Sequence, residues 1–317
     1  MSSPLVVFAP SPLLTITIEA GENTREEIHL HAGGQGFWVA RMAALLGARV
    51  GLCSALGGES GAVLEGLVER EHVELLAVEC AAANGVYVHI RRDGTRSELA
   101  RTRCAGLSRH ESDELYGVTF SAALDSGLAL LTGTDPPEVV EHDVYRRLAG
   151  DLRSNGARVI ADLTGDPLRH ALQGGVDVLK ISEEELLAGG FSAGPATPDL
   201  IEALRALHDG GARTILLSRA ERPSLVLDGE RGRLLELRGP RVEALEPHGT
   251  GDSMFAALGA SLAADDDIEL ALRTATAAGC LNATRHGLGT GTRQEIEQLS
   301  RHVEVEPLGA GAFSAPQ

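Results

Sequence analysis

The chain has 317 residues, 43% of them hydrophobic, so it can bury a sizeable core in one large domain or two smaller ones. Its formal net charge of −17 argues against nucleic acid or an anionic membrane as the main partner. No apolar run approaches the roughly 20 residues of a membrane span, the N-terminus lacks a signal-peptide pattern, and the four cysteines are scattered. We therefore expect a cytoplasmic protein with reduced thiols.

The first third of the chain predicts strands and helices in alternation. Two of its strands alternate polar with apolar residues, which is typical of half-exposed strands. A glycine-rich turn, Gly33-Gly34-Gln35-Gly36, separates the second of them from a helix. The predicted strands are residues 5–8, 14–18, 27–31 and 48–56, and the predicted helices are residues 39–46 and 60–70.

The rest of the chain begins with a predicted hairpin, in which an Asp93-Gly94 turn joins residues 86–90 to residues 96–100. Short apolar strands then alternate with amphipathic helices, which indicates a mostly parallel sheet flanked by helices on both faces. These strands are residues 128–131, 159–162, 176–181 and 214–217, and the helices between them include residues 139–154 and 198–209.

The two half-exposed segments interrupt the rhythm of strand and helix. We expect residues 13–30 and 84–106 to form a separate small β-sheet lid. The α/β domain would then comprise residues 1–12, 31–83 and 107–304. Residues 305–317, rich in glycine, alanine and proline, would form a mobile tail.

The stretch from Glu246 to Gly259 carries the clearest chemical signal. Gly249-Thr250-Gly251 precedes Asp252, and an apolar run with helical spacing follows. Free backbone amides at a helix N-terminus attract an anion. A carboxylate beside them suits a general base that takes a proton from a hydroxyl attacking a phosphoryl group. Taken alone, the same residues also fit an ordinary helix start capped by Asp252 or Ser253.

Other polar loops follow predicted strands at the same edge of the sheet, where ligands bind in open α/β sheets. They are residues 133–137, 162–165 and the acidic run 182–185. Clustered carboxylates there could hold Mg²⁺ through water. Ser182 and Glu185 fit a helix capping box at least as well.

The motifs and the order in which they follow one another along the chain resemble those of the ribokinase/PfkB carbohydrate kinase family, from about Val6 to Leu299. The 1-phosphofructokinase and tagatose-6-phosphate kinase branch is the most similar. The resemblance implies a ribokinase-like fold and phosphoryl transfer from ATP, with Mg²⁺, to an alcohol group. The matching segments are Gly33-Gly-x-Gly36, Ala55-Leu-Gly-Gly58, Gly133-Thr-x-Pro-Pro137, Lys180 to Leu186, Gly249-Thr-Gly-Asp-Ser253 and Gly287-Leu-Gly289.

The resemblance also implies roles for individual residues. Asp252 would be the general base, and the amides of Gly249, Thr250 and Gly251 would form the anion hole. Glu185 would order Mg²⁺ and its waters. The lid would close on the sugar and could form a homodimer. The implied nucleotide-binding positions are Lys180, Ser182, Ser218, Arg219, Ala220, Gly251 and Gly287, and the implied acceptor-binding positions are Leu13, Gly33, Gly34, Gln35, Trp38 and Asp252.

Several acceptor positions depart from the family pattern. Leu13, Gln35 and Trp38 stand where the family commonly has Asp, Lys and Asn, and Ala82-Ala83 replaces a Thr-Arg pair. Each charge-assisted hydrogen bond lost in this way is worth about 1.5–3 kcal/mol, so a standard hexose phosphate should bind poorly.

The nucleotide-binding positions also depart from the family pattern, because Ser182 stands in place of the asparagine of Asn-x-x-Glu. The segment Ser218 to Pro223 replaces Ser-x-Gly-x-x-Gly, and there Arg219 or Arg222 could supply a phosphate contact in place of a glycine amide.

Three functions remain open. The leading hypothesis is an ATP- and Mg²⁺-dependent phosphotransferase with a small, sugar-like alcohol outside the standard hexose phosphates as acceptor. The alternative is a pseudokinase that binds a ligand or a partner without catalysis, because of Ser182, Ala220 and Pro223. A weaker alternative is a nucleoside kinase, since Phe37-Trp38 could stack on a flat acceptor, although Trp38 could equally pack on its own helix.

Overall fold

The computed structural model describes residues 4–20, 26–92, 95–242, 249–284 and 291–308. Within them, a ten-stranded sheet forms the body of the protein and a four-stranded sheet forms the lid. The body strands are β1 (Pro4–Phe8), β4 (Arg49–Leu56), β5 (Glu74–Glu79), β8 (Leu128–Thr132), β9 (Arg158–Asp162), β10 (Val176–Ser182), β11 (Ala212–Arg219), β12 (Arg222–Asp228), β13 (Arg233–Arg238) and β14 (Glu304–Pro307). The lid strands are β2 (Leu13–Ala20), β3 (Glu26–Gly33), β6 (Val86–Arg92) and β7 (Thr95–Thr102).

The body sheet has the strand order β14-β13-β12-β11-β10-β9-β8-β1-β4-β5. Seven neighbouring strands of this sheet are parallel to one another: β11, β10, β9, β8, β1, β4 and β5. Strands β12, β13 and β14 extend the sheet beyond β11 with antiparallel pairing. Strand β8 is buried along its whole length, as expected for a parallel strand with helices on both faces. The carboxyl ends of the parallel strands therefore meet at one edge, where the polar loops of the sequence analysis lie.

Helices cover both faces of this sheet. Alternate residues of β1 enter different cores: Leu5 and Val7 pack with the helices of residues 35–45, 250–263 and 268–283, whereas Val6 and Phe8 pack with those of residues 109–126, 143–154 and 165–174. This layering confirms the predicted α/β class. The helices are α1 (Gln35–Leu45), α2 (Gly58–Val68), α3 (Arg109–Ser126), α4 (Asp143–Ser154), α5 (Gly165–Gly174), α6 (Glu183–Ala188), α7 (Thr197–Asp209), α8 (Thr250–Ala263), α9 (Ile268–Ala283) and α10 (Arg293–Ser300).

The lid is a separate sheet with the order β3-β2-β6-β7, as the alternating segments predict. Its polar residues share one face, because Thr15 lies opposite His31 on β3 and Tyr87 on β6. Its apolar residues share the other face, where Leu14 and Ala32 join the main core. The predicted turn at Asp93-Gly94 lies outside the described residues.

The end of the described chain corrects one prediction. Residues Glu304–Pro307 pair antiparallel with β13, although the predicted mobile tail begins at residue 305. Val305 packs against the core while its neighbours Glu304 and Glu306 are exposed, so this four-residue edge strand has too few apolar residues to be recognised by pattern. Residues 309–317 lie outside the described residues.

Within the described ranges, none of the helices is both long and apolar enough to span a membrane.

Candidate active site

Helix α8 begins at a glycine. Gly249 is the N-cap residue, with φ = 75° in the left-handed region that favours glycine. Its carbonyl oxygen accepts the first hydrogen bond of the helix from the Ser253 amide at 2.9 Å. Asp252 lies in the first turn, and no side chain caps the helix. The alternative that Asp252 or Ser253 caps the helix is therefore wrong, and the amides of Thr250 and Gly251 stand at a helix N-terminus next to the carboxylate of Asp252.

A buried lysine supports this helix start from the sheet. Lys180 of β10 is 3% exposed, and its ammonium donates to both carboxylate oxygens of Asp162 at 2.9 and 3.1 Å. The same ammonium lies against α8, because a Cβ at Gly251 would be 2.6 Å from its Nζ. A glycine at position 251 is thus required for helix α8 to approach Lys180 this closely.

Asp162, Lys180, Glu185 and Asp252 form a charged cluster at the carboxyl edge of the sheet. Burial raises the pKa of Asp252, the charge of Lys180 lowers it and that of Glu185 raises it, so that the pKa is raised to about 6. Burial likewise raises the pKa of Asp162 to about 7 against the pull of Lys180. The three carboxylates hold the pKa of Lys180 above its usual value despite its burial, so the ammonium stays charged.

Ser182 and Glu185 form the capping box of α6, as the sequence allowed. The Ser182 amide and hydroxyl donate to Glu185 Oε2 at 2.8 and 2.7 Å, and the Glu185 amide donates to Ser182 Oγ at 3.2 Å. Burial would raise the pKa of Glu185, but Lys180 and the Ser182 bonds outweigh it and lower that pKa. In the part of the chain that the structure describes, no group of three or more His, Cys, Asp or Glu side chains could hold a metal ion.

The β11–β12 hairpin borders this cluster, because Ser218 pairs in register with Ser182. Arg219 is buried, donates to the Pro223 carbonyl at 2.6 Å and lies 3.6 Å from Glu236, so its side chain is held by neighbouring sheet strands. Ala220 stands at φ = 46°, the left-handed conformation for which glycine is the usual residue.

The acceptor-side residues have mostly packing roles. Gln35 accepts a bond from the Gly133 amide at 2.9 Å, which ties α1 to the loop after β8. Leu13 is half-buried at the start of β2, beside Gly85. Phe37 belongs to the core, and Trp38 meets its ring edge-on at 5.4 Å with Arg41 over the Trp38 ring.

The glycine turn keeps its predicted place between β3 and α1. A Cβ on Gly33 would lie 2.6 Å from Thr15 Oγ1, and Gly34 has φ = 92°. Gly287 lies outside the described residues.

The lid contributes one cation that the sequence analysis missed. Arg101 of β7 lies over the Tyr87 ring at 4.6 Å and donates to Asp135 at 3.0 Å. Because Asp135 belongs to the loop after β8, this ion pair joins the polar face of the lid to the carboxyl edge of the body. Only the pairing of β7 with β6 reveals this placement, since no short motif includes Arg101.

A profile of the pfkB family carbohydrate kinases matches residues 13–295. The chain belongs to the PfkB family of carbohydrate kinases. It is 26% identical to a 1-phosphofructokinase of Vibrio cholerae over 88% of this chain and 87% of that protein. It is also 25% identical to a D-tagatose-1-phosphate kinase of Bacillus licheniformis, over 90% and 92% of the two chains.

Solved structures of PfkB-type kinases have the same fold. Phosphofructokinase-2 from Escherichia coli, solved in complex with potassium, aligns with a TM-score of 0.82 and 22% identity over 95% of this chain and 99% of that chain. Ribokinase from Arabidopsis thaliana, complexed with ribose and ATP, aligns with a TM-score of 0.75 and 20% identity over 95% and 99%. Family membership makes the protein a carbohydrate kinase, that is, a phosphotransferase with an alcohol acceptor.

Proposed function

We propose that this PfkB-family kinase transfers the terminal phosphoryl group of ATP to a hydroxyl of a small sugar-like acceptor, with Asp252 as the general base. The observation that carries the proposal is the carboxylate of Asp252 in the first turn of α8, with a pKa raised to about 6, next to helix-terminal amides. A base of that pKa is ionised at neutral pH and still accepts a proton from an attacking hydroxyl.

The other groups of the site would stabilise negative charge on the phosphates or hold the start of α8 in place. The amides of Thr250 and Gly251 would stabilise negative charge that develops on the transferred phosphoryl group. Lys180 would keep the start of α8 in place through its contact with Gly251. Mg²⁺ bound with the nucleotide would neutralise phosphate charge. Glu185, whose pKa is lowered by the charge of Lys180 and by the Ser182 bonds in spite of its burial, would hold the water ligands of the ion.

For the acceptor, we propose a phosphorylated sugar-like alcohol, contrary to the expectation from the sequence that a standard hexose phosphate binds poorly. This acceptor would bind without the usual carboxylate at position 13. Leu13 cannot accept hydrogen bonds from sugar hydroxyls, and Gln35 is already bonded to Gly133. The 1-phosphofructokinase of Vibrio cholerae and the D-tagatose-1-phosphate kinase of Bacillus licheniformis act, by their names, on phosphorylated sugars. Arg101, on the polar face of the lid, would hold the acceptor's phosphate in place of the Thr-Arg pair that Ala82-Ala83 replaces, in exchange for its bonds to Glu98 and Asp135.

An acceptor screen tests this function. ADP release would be measured with ATP, Mg²⁺ and fructose 1-phosphate, fructose 6-phosphate, tagatose 6-phosphate, the unphosphorylated sugars, or adenosine. The proposal expects phosphorylated acceptors to be preferred, and Arg101→Ala to raise their KM without affecting ATP binding. Preference for an unphosphorylated sugar would contradict the acceptor class, and adenosine as the best acceptor would make this a nucleoside kinase.

The geometry of the site disfavours the two alternative functions, a nucleoside kinase and a pseudokinase. The nucleoside kinase needed a free aromatic platform, but Phe37 is in the core and Trp38 already packs against Phe37 and Arg41. The pseudokinase rested on Ser182, Ala220 and Pro223, yet Ser182 keeps Glu185 oriented and Ala220 keeps the backbone conformation of a glycine. Calorimetry with ATP and Mg²⁺ separates the pseudokinase, which would give no detectable binding.

We also propose a homodimer through the apolar face of the lid. Large hydrophobic side chains are exposed on two lid strands: Ile28 at 63%, Leu30 at 44% and Leu99 at 55%. Ile28 and Leu30 share the apolar face of β3. Exposed apolar residues grouped on one element are typical of a protein interface.

A further inference from the structure

Arg222 lies near the charged cluster of Asp162, Lys180, Glu185 and Asp252, because its partner Glu183 shares the first turn of α6 with Glu185. It opens β12 immediately after the two-residue turn of the β11–β12 hairpin, and its guanidinium pairs with the carboxylate of Glu183. Glu183 directly follows Ser182, the last residue of β10 and the N-cap of α6. The Arg222 side chain is 51% exposed and that of Glu183 is 13% exposed, so the guanidinium is open to a ligand on its solvent side.

The charge balance of this edge makes Arg222 the accessible cation. Five carboxylates lie at the end of β9 and the starts of α6 and α8, and two of the cations there cannot reach a ligand easily. Lys180 is 3% exposed and bonded to Asp162, and Arg219 is held by Pro223 and Glu236. An anionic polyphosphate that approaches these carboxylates needs a compensating positive charge.

One residue of this hairpin, at the start of β12, lacks a backbone donor for such an anion. Pro223 has no N–H group, so it cannot donate to a phosphate oxygen as a glycine amide would. A guanidinium can replace that donor with two parallel, charge-assisted hydrogen bonds to one phosphate group.

We propose that Arg222 binds a phosphate group of the nucleotide donor and that the phosphate displaces Glu183 from the guanidinium. The inference rests on the proposed function, since it assumes that ATP is the donor. It assigns to Arg222 a specificity role in donor binding, in which a phosphate replaces a carboxylate as the partner of one arginine.

The test is calorimetric titration of ATP in buffer with Mg²⁺ into the whole protein and three variants. Arg222→Ala should weaken ATP binding roughly tenfold or more, Arg222→Lys should restore part of it, and Glu183→Gln should tighten it because the competing carboxylate is gone. Arg213→Ala is the matched control, since Arg213 is also 51% exposed and pairs with Glu230 at the opposite end of β11. The control should bind ATP as the unmodified protein does.

Unchanged ATP affinity in Arg222→Ala would overturn the inference while leaving the kinase function intact. If Arg222→Ala does not fold, Glu183→Gln compared with Glu184→Gln decides, because both remove one negative charge at the start of α6 and only Glu183 pairs with Arg222. Equal ATP affinity in these two variants would overturn the inference. Failure of the unmodified protein to bind ATP would overturn both this inference and the proposed function.

Discussion

The proposed chemistry depends on Asp252, and the pKa of this residue can be tested directly. Burial raises that pKa to about 6, and only the ionised carboxylate can accept a proton. The value of kcat/KM should therefore be level above pH 6 to 7 and fall by about tenfold per pH unit below it. A pH–rate profile with saturating ATP measures this. An acid limb near pH 4 instead would contradict the raised pKa of Asp252.

Ala220 gives a second prediction at this scale. Its φ of 46° is strained for alanine, and the residue is exposed at the hairpin turn. Ala220→Gly should raise the free energy of unfolding by up to about 1 kcal/mol in a urea titration. Ala62→Gly is the control, because Ala62 is exposed in α2 and should lose about 1 kcal/mol instead. A loss of stability in both variants would contradict strain at Ala220.

Single residues differed in how well the sequence predicted their positions. The place of Asp252 at the start of a helix was predictable, because its neighbours form a short local motif. The pairing of Lys180 with Asp162 was not, because it depends on the register of β9 against β10. A signal existed, since a lysine within the buried run Val178-Leu-Lys-Ile181 needs a partner for its charge.

At the scale of elements, the contact between α8 and β10 is the critical one. Gly251→Ala would place a Cβ 2.6 Å from Lys180 Nζ and push the ammonium away from Asp162. We expect kcat to fall about tenfold or more, because the base and the amides shift together, and stability to fall by about 1–3 kcal/mol. Steady-state kinetics and thermal melting measure the two effects.

Gly117→Ala is the control for this substitution. Gly117 is exposed in α3 and no atom lies within 4 Å of its added Cβ, so the change should leave kcat unaffected and slightly raise the melting temperature. Normal kcat in Gly251→Ala would show that the close approach of Lys180 to α8 is not needed.

The predicted elements were those with clear periodicity. Buried strands such as β8 and β9 and the alternating lid strands were found, because burial on one or two faces dictates their patterns. Strand β12 was not predicted, although most of its residues are buried. Strands β5, β13 and β14 were not predicted either, since they lie at or near the sheet edges, where exposed and half-buried residues outnumber the buried ones. Long-range pairing, which the sequence does not encode locally, defines them.

At the scale of the whole molecule, the lid should determine assembly. Leu30→Glu should convert a dimer into a monomer, because it places a charge on the exposed apolar face beside Ile28. Light scattering coupled to size-exclusion chromatography measures the mass. Leu270→Glu on α9 is the control, as Leu270 is 40% exposed away from the lid. A protein that is monomeric without any substitution would contradict the proposed dimer.

The most direct test of the proposed kinase is Asp252→Asn, with phosphoryl transfer and ATP binding measured on the same preparation. Asp199→Asn is the matched control, since Asp199 also lies half-buried in the first turn of a helix, α7. The proposed mechanism predicts that Asp252→Asn lowers kcat by about 10²–10⁴-fold while ATP still binds, and that the control is unaffected. Unchanged turnover in Asp252→Asn would contradict it.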